Sequence, residues 1–299
     1  MPESELRAWL GSQAAWARGY DYTRFTIPKR RGGLRQIEAP GEKLKDLQRR
    51  ILRKLLNPLP VPAAATGFVL GRSVVDNARP HVGQGVVINL DLADFFGSIS
   101  EQRVRELFQA RGWNAEAAGI LARICTSDGR LPQGAPTSPA LSNLACWRLD
   151  ARLAALARKV GGHYTRYADD ITLSLPALGR NKRRRPHRGP RASGRANRPA
   201  GPSRSLITWV SQIIAGEGFQ IQRRKRIRIQ RAHQRQTATG LIVNQKVAVP
   251  RATRRLVRAM QHRARLGKLD AAGQARLKGL EAWLAMVASQ RERGSQNER

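Results

Sequence analysis

Hydrophobic positions along the chain recur at two periods, and the switches between them lay out the elements. Leu6, Trp9, Leu10 and Trp16 fall near one face of a helix expected over residues 5–18, with Ser4 placed to cap it. Residues 22–27 and 34–39 read as strands joined through the basic hairpin tip Lys29-Arg30-Arg31-Gly32-Gly33. Leu44, Leu47, Ile51 and Leu55 then keep helical spacing over 42–56, and the proline-rich stretch 57–62 ends that helix. Val86, Val87, Ile88, Leu90 and Leu92 form a β-rich run, followed by helices expected over 101–111 and 115–126. Residues 131–143, rich in Gly, Pro, Ser and Thr, read as a loop feeding a helix over 144–160. The stretch HYTRYADDITLSL, residues 163–175, alternates on both sides of two adjacent carboxylates, which predicts two short strands and a tight turn. A helix over 205–215, a strand pair within 218–230, a hairpin around Asn244-Gln245-Lys246 and a basic helix over 251–269 complete the order. Mixed strands and helices in this succession predict an α+β fold.

Charge sits where this pattern makes it costly. Asp169 and Asp170 are side by side between apolar strand residues, and Asp91 lies within the β-rich run 86–92. Adjacent like charges resist desolvation unless a cation neutralises them, and a hard divalent ion is held by one or two carboxylates plus substrate phosphates. If the two segments are neighbours, the three aspartates converge and can bridge two metal ions about 3.5–4 Å apart, the arrangement that clamps attacking and leaving oxygens in phosphoryl transfer. Taken singly, Asp-Asp is ordinary turn chemistry and Asp91 a strand-end cap. Three carboxylates on two strand signals are not covered by those readings.

Asp91 with Phe95-Phe96, then Leu131-Pro132-Gln133-Gly134 before Pro136-Thr137-Ser138-Pro139, then Tyr167-Ala168-Asp169-Asp170, then Gly218-Phe219 leading to Lys225, resemble the ordered motifs of a reverse transcriptase. Asn77-Ala78-Arg79-Pro80-His81 matches the Asn-Ala-x-x-His motif of retron reverse transcriptases. Ala238-Thr239-Gly240 stands where that family has Val-Thr-Gly, with its first residue changed. The resemblance implies a polymerase right hand, with fingers and palm over 1–245 and a helical thumb over 246–299. It implies Mg²⁺, two ions with Mn²⁺ as a substitute, on Asp91, Asp169 and Asp170, and Lys225 at the pyrophosphate leaving group. Phe96 falls where an aromatic ring abuts the sugar and excludes a 2′-hydroxyl, which favours dNTPs; Gln133, Gly134 and Arg35 fall near the incoming nucleotide and template. Arg72 near a phosphate, with Asn77 and His81 of the retron motif, are the expected nucleic-acid contacts upstream. Arg251, Arg254, Arg255 and Arg258 would lie along a duplex backbone. The expected partners are a cognate structured non-coding RNA, its DNA product and a separate effector protein, in a system of bacterial antiphage defence. A group II intron-like or diversity-generating enzyme, and a non-catalytic RNA-binding protein, are the competing readings.

Composition adds the polyanion independently. The 299 residues carry 55 Lys and Arg against 21 Asp and Glu, a net charge of +34. Residues 180–204, 223–235 and 251–268 hold 24 of those basic residues and no acidic one, so the excess lies after the Asp-Asp turn. No run approaches the roughly 18 apolar residues that span a bilayer, and the first ten residues lack the regions of a signal peptide, so the expected location is cytoplasmic. Cys125 and Cys146 are too few for a disulfide framework and suit a reducing compartment. The stretch 176–205 is nearly devoid of apolar residues and cannot build a core, so it reads as a disordered basic insertion. Deleting residues 179–202 is expected to leave extension of a DNA primer on a generic RNA template intact at low salt; loss of extension in that variant would show that the insertion is part of the working fold.

Overall fold

The computed structural model describes residues 22–29, 32–177, 202–222 and 227–296. The expected helix over 5–18, Arg30, Arg31, Lys225 and most of the basic insertion lie outside them. Strands β1 (Tyr22–Pro28) and β2 (Leu34–Pro40) pair antiparallel from Tyr22↔Pro40 to Pro28↔Leu34, and the Lys29 N–H donates to the Gly33 carbonyl across the tip (2.8 Å). Helix α1 (Glu42–Ile51) continues through a wider turn, Leu52–Leu56; of the expected face Leu44 and Ile51 are buried and Leu47 and Leu55 half-buried, while Leu56 is buried in addition. Helix α2 (Val74–Ala78) starts from a reciprocal cap between Ser73 and Asp76 and runs into one tight turn, Arg79–His81.

Strand β3 (Val86–Asp91) follows, then α3 (Glu101–Gln109) capped by Ser100 and α4 (Ala115–Cys125) capped by Asn114. The expected loop over 131–143 is only half a loop, because α5 (Ser138–Ala145) begins inside it and is followed by α6 (Trp147–Lys159). Pro139 sits in the first turn of α5, where no N–H is needed, so a residue that reads as a breaker instead starts the helix.

Strands β4 (His163–Tyr167) and β5 (Asp170–Leu175) form the expected hairpin, and α7 (Pro202–Gly216) precedes β6 (Arg228–Arg231). The strand pair expected within 218–230 is realised as β6 and a single bridge from Ile221 to Leu92. Short strands β7 (Thr237–Ala238) and β8 (Leu241–Ile242) turn at Thr239-Gly240, and Ile242 bridges Ala248 around Asn244-Gln245-Lys246. Helices α8 (Arg251–Arg265) and α9 (Ala271–Gln296) close the chain.

The central sheet has the order β4-β5-β3-β6, antiparallel throughout. Its period of two divides the residues cleanly. Ile88, Leu90, Tyr164, Ile171 and Leu173 face the main core with α3 to α7. Val87, Asn89, Thr165, Thr172 and Ser174 face the other way, toward α2, β7, β8 and the far end of α9, where Val75, Ala238, Leu241 and Val287 form a second cluster. Val257, Met260 and Leu277 pack α8 against α9. The C-terminal helix therefore returns to the sheet, and Arg79 donates to the Gln290 carbonyl (2.8 Å) where it arrives.

The polar face is closed by the retron-motif residues. His81 is fully buried, with Nδ1 2.7 Å from Ser174 Oγ and Nε2 2.8 Å from Thr165 Oγ1. Thr165 donates its one hydroxyl proton to the Asn77 carbonyl (3.1 Å), so it accepts from His81 Nε2–H, and Nδ1 accepts from Ser174. Asn77, also fully buried, accepts from Thr66 (2.8 Å) and donates to Thr239 (3.4 Å). Burial, with a smaller contribution from His163, lowers the His81 pKa from 6.5 to about 3. The unfolded chain therefore takes up a proton that the folded chain refuses, and stability present above pH 6.5 is lost as pH falls toward 3. The loss at pH 5 is about 2 kcal/mol. A fall in Tm between pH 7 and pH 5 is expected, blunted in His81→Gln; equal slopes for the two proteins would remove His81 as its source.

Candidate active site

Asp91 and Asp170 are set opposite each other because β3 ends where β5 begins. Asp91, the last residue of β3, is the cross-strand partner of Asp170, the first of β5, and the Leu92 N–H donates to the Asp169 carbonyl (2.9 Å). On the other flank the Gln222 N–H donates to the Asp91 carbonyl (2.8 Å). All three aspartates are half-buried, and Asp91 and Asp170 emerge on the same sheet face as Asn89 and Thr172. They close the polar face at one end.

The turn between β4 and β5 has only two residues outside the pairing, Ala168 and Asp169, and Ala168 adopts φ +57. A two-residue hairpin needs that left-handed step, which is disfavoured for alanine and persists only when the surroundings hold it. Arg166 holds it from beneath. Its guanidinium is fully buried, donates to the Ala168 carbonyl (3.1 Å) and to Asn143 Oδ1 (3.1 Å), and grips Asp150 through Nε–Oδ1 (2.8 Å) and Nη2–Oδ2 (2.7 Å). Tyr164 donates to the same Asp150 (2.6 Å); burial, and next the Asp150 charge, push its phenol well above the ordinary value, so it keeps its proton.

From the side, the segment 64–67 lies against β4. The Thr66 N–H donates to the Arg166 carbonyl (2.9 Å), and the Arg166 N–H donates to Ala64 (2.8 Å). Gly67 presses on the turn so closely that a Cβ there would stand 2.6 Å from the Ala168 nitrogen. That close approach is to the turn that carries Asp169. Asn143 donates to the Gly67 carbonyl (2.9 Å) and accepts from Arg166, clamping both sides at once.

Aromatic rings extend inward from this point. Phe96 is half-buried against Phe95 (centroids 5.3 Å apart), Phe95 stacks on Phe219 (6.1 Å), and the guanidinium groups of Arg166 and Arg103 lie over Phe95 and Phe219 at 5.9 and 5.0 Å. Gln133 and Gly134 support the N-terminal hairpin. The Glu38 N–H of β2 donates to the Gln133 carbonyl (3.0 Å), and Gly134, at φ +145, leaves no room for a Cβ beside the Glu38 carbonyl. Arg35 on β2 and Arg72 are exposed, as are Arg251, Arg254, Arg255 and Arg258 on α8.

Asn77 and His81 are a correction. Expected to touch nucleic acid, both are sealed in the interior, and their side chains are taken up by Thr66, Thr239, Thr165 and Ser174. Arg166, Asp150 and Asn143 were missed. The available signal was phase, since Arg166 alternates with Tyr164 on the face that turns inward.

The donor set suits a hard divalent ion, being all carboxylate oxygen at the ends of two paired strands. Among the described residues no group of three or more His, Cys, Asp and Glu side chains is already arranged to hold a metal ion. Ions of the magnesium type keep water and substrate phosphates in their shell and need only one or two carboxylates from the protein, so the residues present fit.

A family model described as reverse transcriptase (RNA-dependent DNA polymerase) matches residues 27–186. Retron Mx65 reverse transcriptase of Myxococcus xanthus is 38% identical, over 95% of this chain and 68% of its own length. Retron Ec86 reverse transcriptase of Escherichia coli is 32% identical, over 90% and 77%. The chain belongs to the retron reverse transcriptases. The enzyme is thus an RNA-directed DNA polymerase of a divalent-metal-dependent family, and an RNA template is its partner. Among solved structures, apo telomerase from Candida tropicalis aligns with 82% of the chain and 59% of its own at 12% identity and a TM-score of 0.48. Among the described residues of the retron enzyme, no helix is long and apolar enough to cross a membrane.

Asp150→Asn should leave the Arg166 charge buried without its partner and destabilise the enzyme by about 3–5 kcal/mol in denaturant unfolding. The apolar pair Asp150→Leu, Arg166→Met should recover most of that stability. Extension should stay roughly 10²-fold down in the double variant, because the donor to the Ala168 carbonyl is gone and the carboxylates are no longer placed. Full activity in the stable double variant would separate Arg166 from the catalytic turn.

Proposed function

We propose that this enzyme copies a cognate structured non-coding RNA into single-stranded DNA, with Asp91, Asp169 and Asp170 holding two Mg²⁺ ions at the primer terminus. The observation that carries the reading is the register that sets Asp91 opposite Asp170, with Asp169 in the adjoining turn. When bound, the ions lower the cost of deprotonating the primer hydroxyl and neutralise charge on the transferring phosphoryl group. The carboxylates are ligands, and Arg166, Asn143 and Gly67 fix the backbone that carries them. Phe96, backed by Phe95, takes the sugar and favours dNTPs. Lys225, which lies outside the described residues, is assigned to the leaving pyrophosphate by its place after Gly218-Phe219 in the family motif. Arg35, on β2, and Gly134, in the loop bonded to β2 through Glu38 and Gln133, meet the nucleotide, Arg72 meets a phosphate, and the arginines of α8 follow the RNA/DNA backbone as the thumb.

Retron membership supports the finer reading: priming from an RNA 2′-hydroxyl, a DNA product branched from RNA, and service in antiphage defence in the cytoplasm beside a separate effector. Asp169→Asn should cut primer extension by roughly 10³-fold, the rate equivalent of several kcal/mol of charge stabilisation, while RNA retention on a filter stays within about threefold. Equal loss of both would make Asp169 structural. In cells carrying the gene with its flanking DNA, a discrete short DNA that survives RNase, shifts with debranching enzyme and vanishes in Asp169→Asn, Asp170→Asn is expected. Its absence, with purified protein still extending a DNA primer, would leave a polymerase without branched-DNA chemistry.

A further inference from the structure

Phe68 is placed against both stability and solubility. Its backbone adopts φ +61, a conformation that bulky residues scarcely populate, and its side chain remains 48% exposed. Glycine would satisfy the backbone and a polar residue the surface, so the ring has to be accounted for by what it touches. It touches Phe96, with centroids 6.2 Å apart and planes tilted by 39°. Phe96 thus has a ring on two flanks, the buried Phe95 inside and Phe68 outside.

The two flanks differ in how they are held. Phe95 is locked in the core beneath Arg166 and against Phe219. The backbone around Phe96 is set by a tight turn in which the Ser98 N–H donates to Asp94 (2.8 Å) and the Ile99 N–H donates to Phe96 (3.0 Å). That turn fixes where the Phe96 side chain starts, not where its ring ends. On the outer flank Phe68 stands against it, and Phe68 is itself anchored by Gly67, whose carbonyl is held by Asn143 and whose backbone is pressed against Ala168.

We propose that Phe68 is a positioning residue for sugar selection, holding the Phe96 ring in the orientation that excludes a 2′-hydroxyl. This rests on the reading of Phe96 as the sugar gate. The strained backbone then has a purpose, because a conformation with φ near +60 carries the ring back toward Phe96 from a segment fixed to the catalytic turn. Sugar choice and the position of the carboxylates are thereby referred to one backbone, that of residues 66–68.

The test is single-nucleotide insertion by the purified full chain on an RNA template with a DNA primer, comparing each dNTP with its matched NTP. Phe68→Ala should raise the NTP-to-dNTP ratio of kcat/KM by roughly tenfold, the most that one aromatic pair is worth, with dNTP kcat within about threefold of the parent. Phe68→Tyr, which keeps the ring, should restore the ratio. Phe96→Ala should raise it further, and adding Phe68→Ala to Phe96→Ala should change nothing more. An unchanged ratio in Phe68→Ala beside a raised ratio in Phe96→Ala overturns the role of Phe68 alone. An unchanged ratio in Phe96→Ala overturns the gate and this inference with it. If Phe68→Ala does not fold, Phe68→Gly removes the ring while easing the backbone: a raised ratio there supports the role, and a parental ratio overturns it.

Discussion

The buried pair Arg166–Asp150 is the constraint on which the Asp169–Asp170 end of the sheet depends. Neither side chain reaches solvent, and removing two charges from water is repaid only by good geometry and full hydrogen bonding. Both conditions are met, with two bonds between the ions, Tyr164 on Asp150, and Asn143 and the Ala168 carbonyl on Arg166. Apolar packing could supply comparable stability, so what the pair contributes is direction. A planar guanidinium with several fixed donors can hold a carboxylate, an amide and a turn carbonyl in one arrangement, which a leucine cannot. The turn it holds carries two adjacent negative charges and a left-handed alanine, the least self-sufficient backbone in the sheet.

The opposite face solves a similar problem without ions. Thr165, Thr172, Ser174 and Asn89 would be costly to bury unpaired, and His81, Asn77 and Gln230 pair three of these side chains directly while Asn89 accepts from Thr172. The two short retron motifs meet there, since Asn77 donates to Thr239 and Thr239 donates to the Val74 carbonyl. Thr239 adopts φ +44 to make that turn, and Ala238 beside it is fully buried. Ala238 lies in the apolar cluster of β7, β8 and α9, while the hydrogen bonds between the two motifs run through residue 239.

The frame of the sheet was legible because it follows from period two and from charge. Val86 to Leu92 and residues 163–175 had to be neighbours for Asp91, Asp169 and Asp170 to share a cation, and the register realises that adjacency. Arg166 was not legible for the opposite reason. In a chain with 55 basic residues an arginine reads as surface, and only its strand phase marked it as inward. Asn77 and His81 were misassigned because a motif names residue types without saying which way they face. Helix α5 was misread because proline breaks a helix interior and begins a helix with equal ease. Phe68 carried no local signal at all, since its meaning lies in a backbone angle and a partner 28 residues away.

The basic helix and the acidic turn belong to one packed body, and the chain of contacts between them can be followed. The arginines of α8 are exposed, while Val257 and Met260 on its other side pack against Leu277 of α9. Helix α9 ends against α2 and the β7–β8 turn through Val287, with Arg79 bonded to the Gln290 carbonyl. From Asn77 and His81 the network passes into Thr165 and Ser174, on the two strands that bear Asp169 and Asp170 at their junction. A continuous set of apolar and hydrogen-bonded contacts therefore runs from α8 to the strands that bear Asp169 and Asp170. Separate positive and negative regions are needed because carboxylates repel the polyanion they must serve. Rigid connection matters because a reacting group misplaced by about an ångström loses roughly 10²-fold in rate. Asn77 and His81, buried between α2 and the sheet, close that connection with hydrogen bonds.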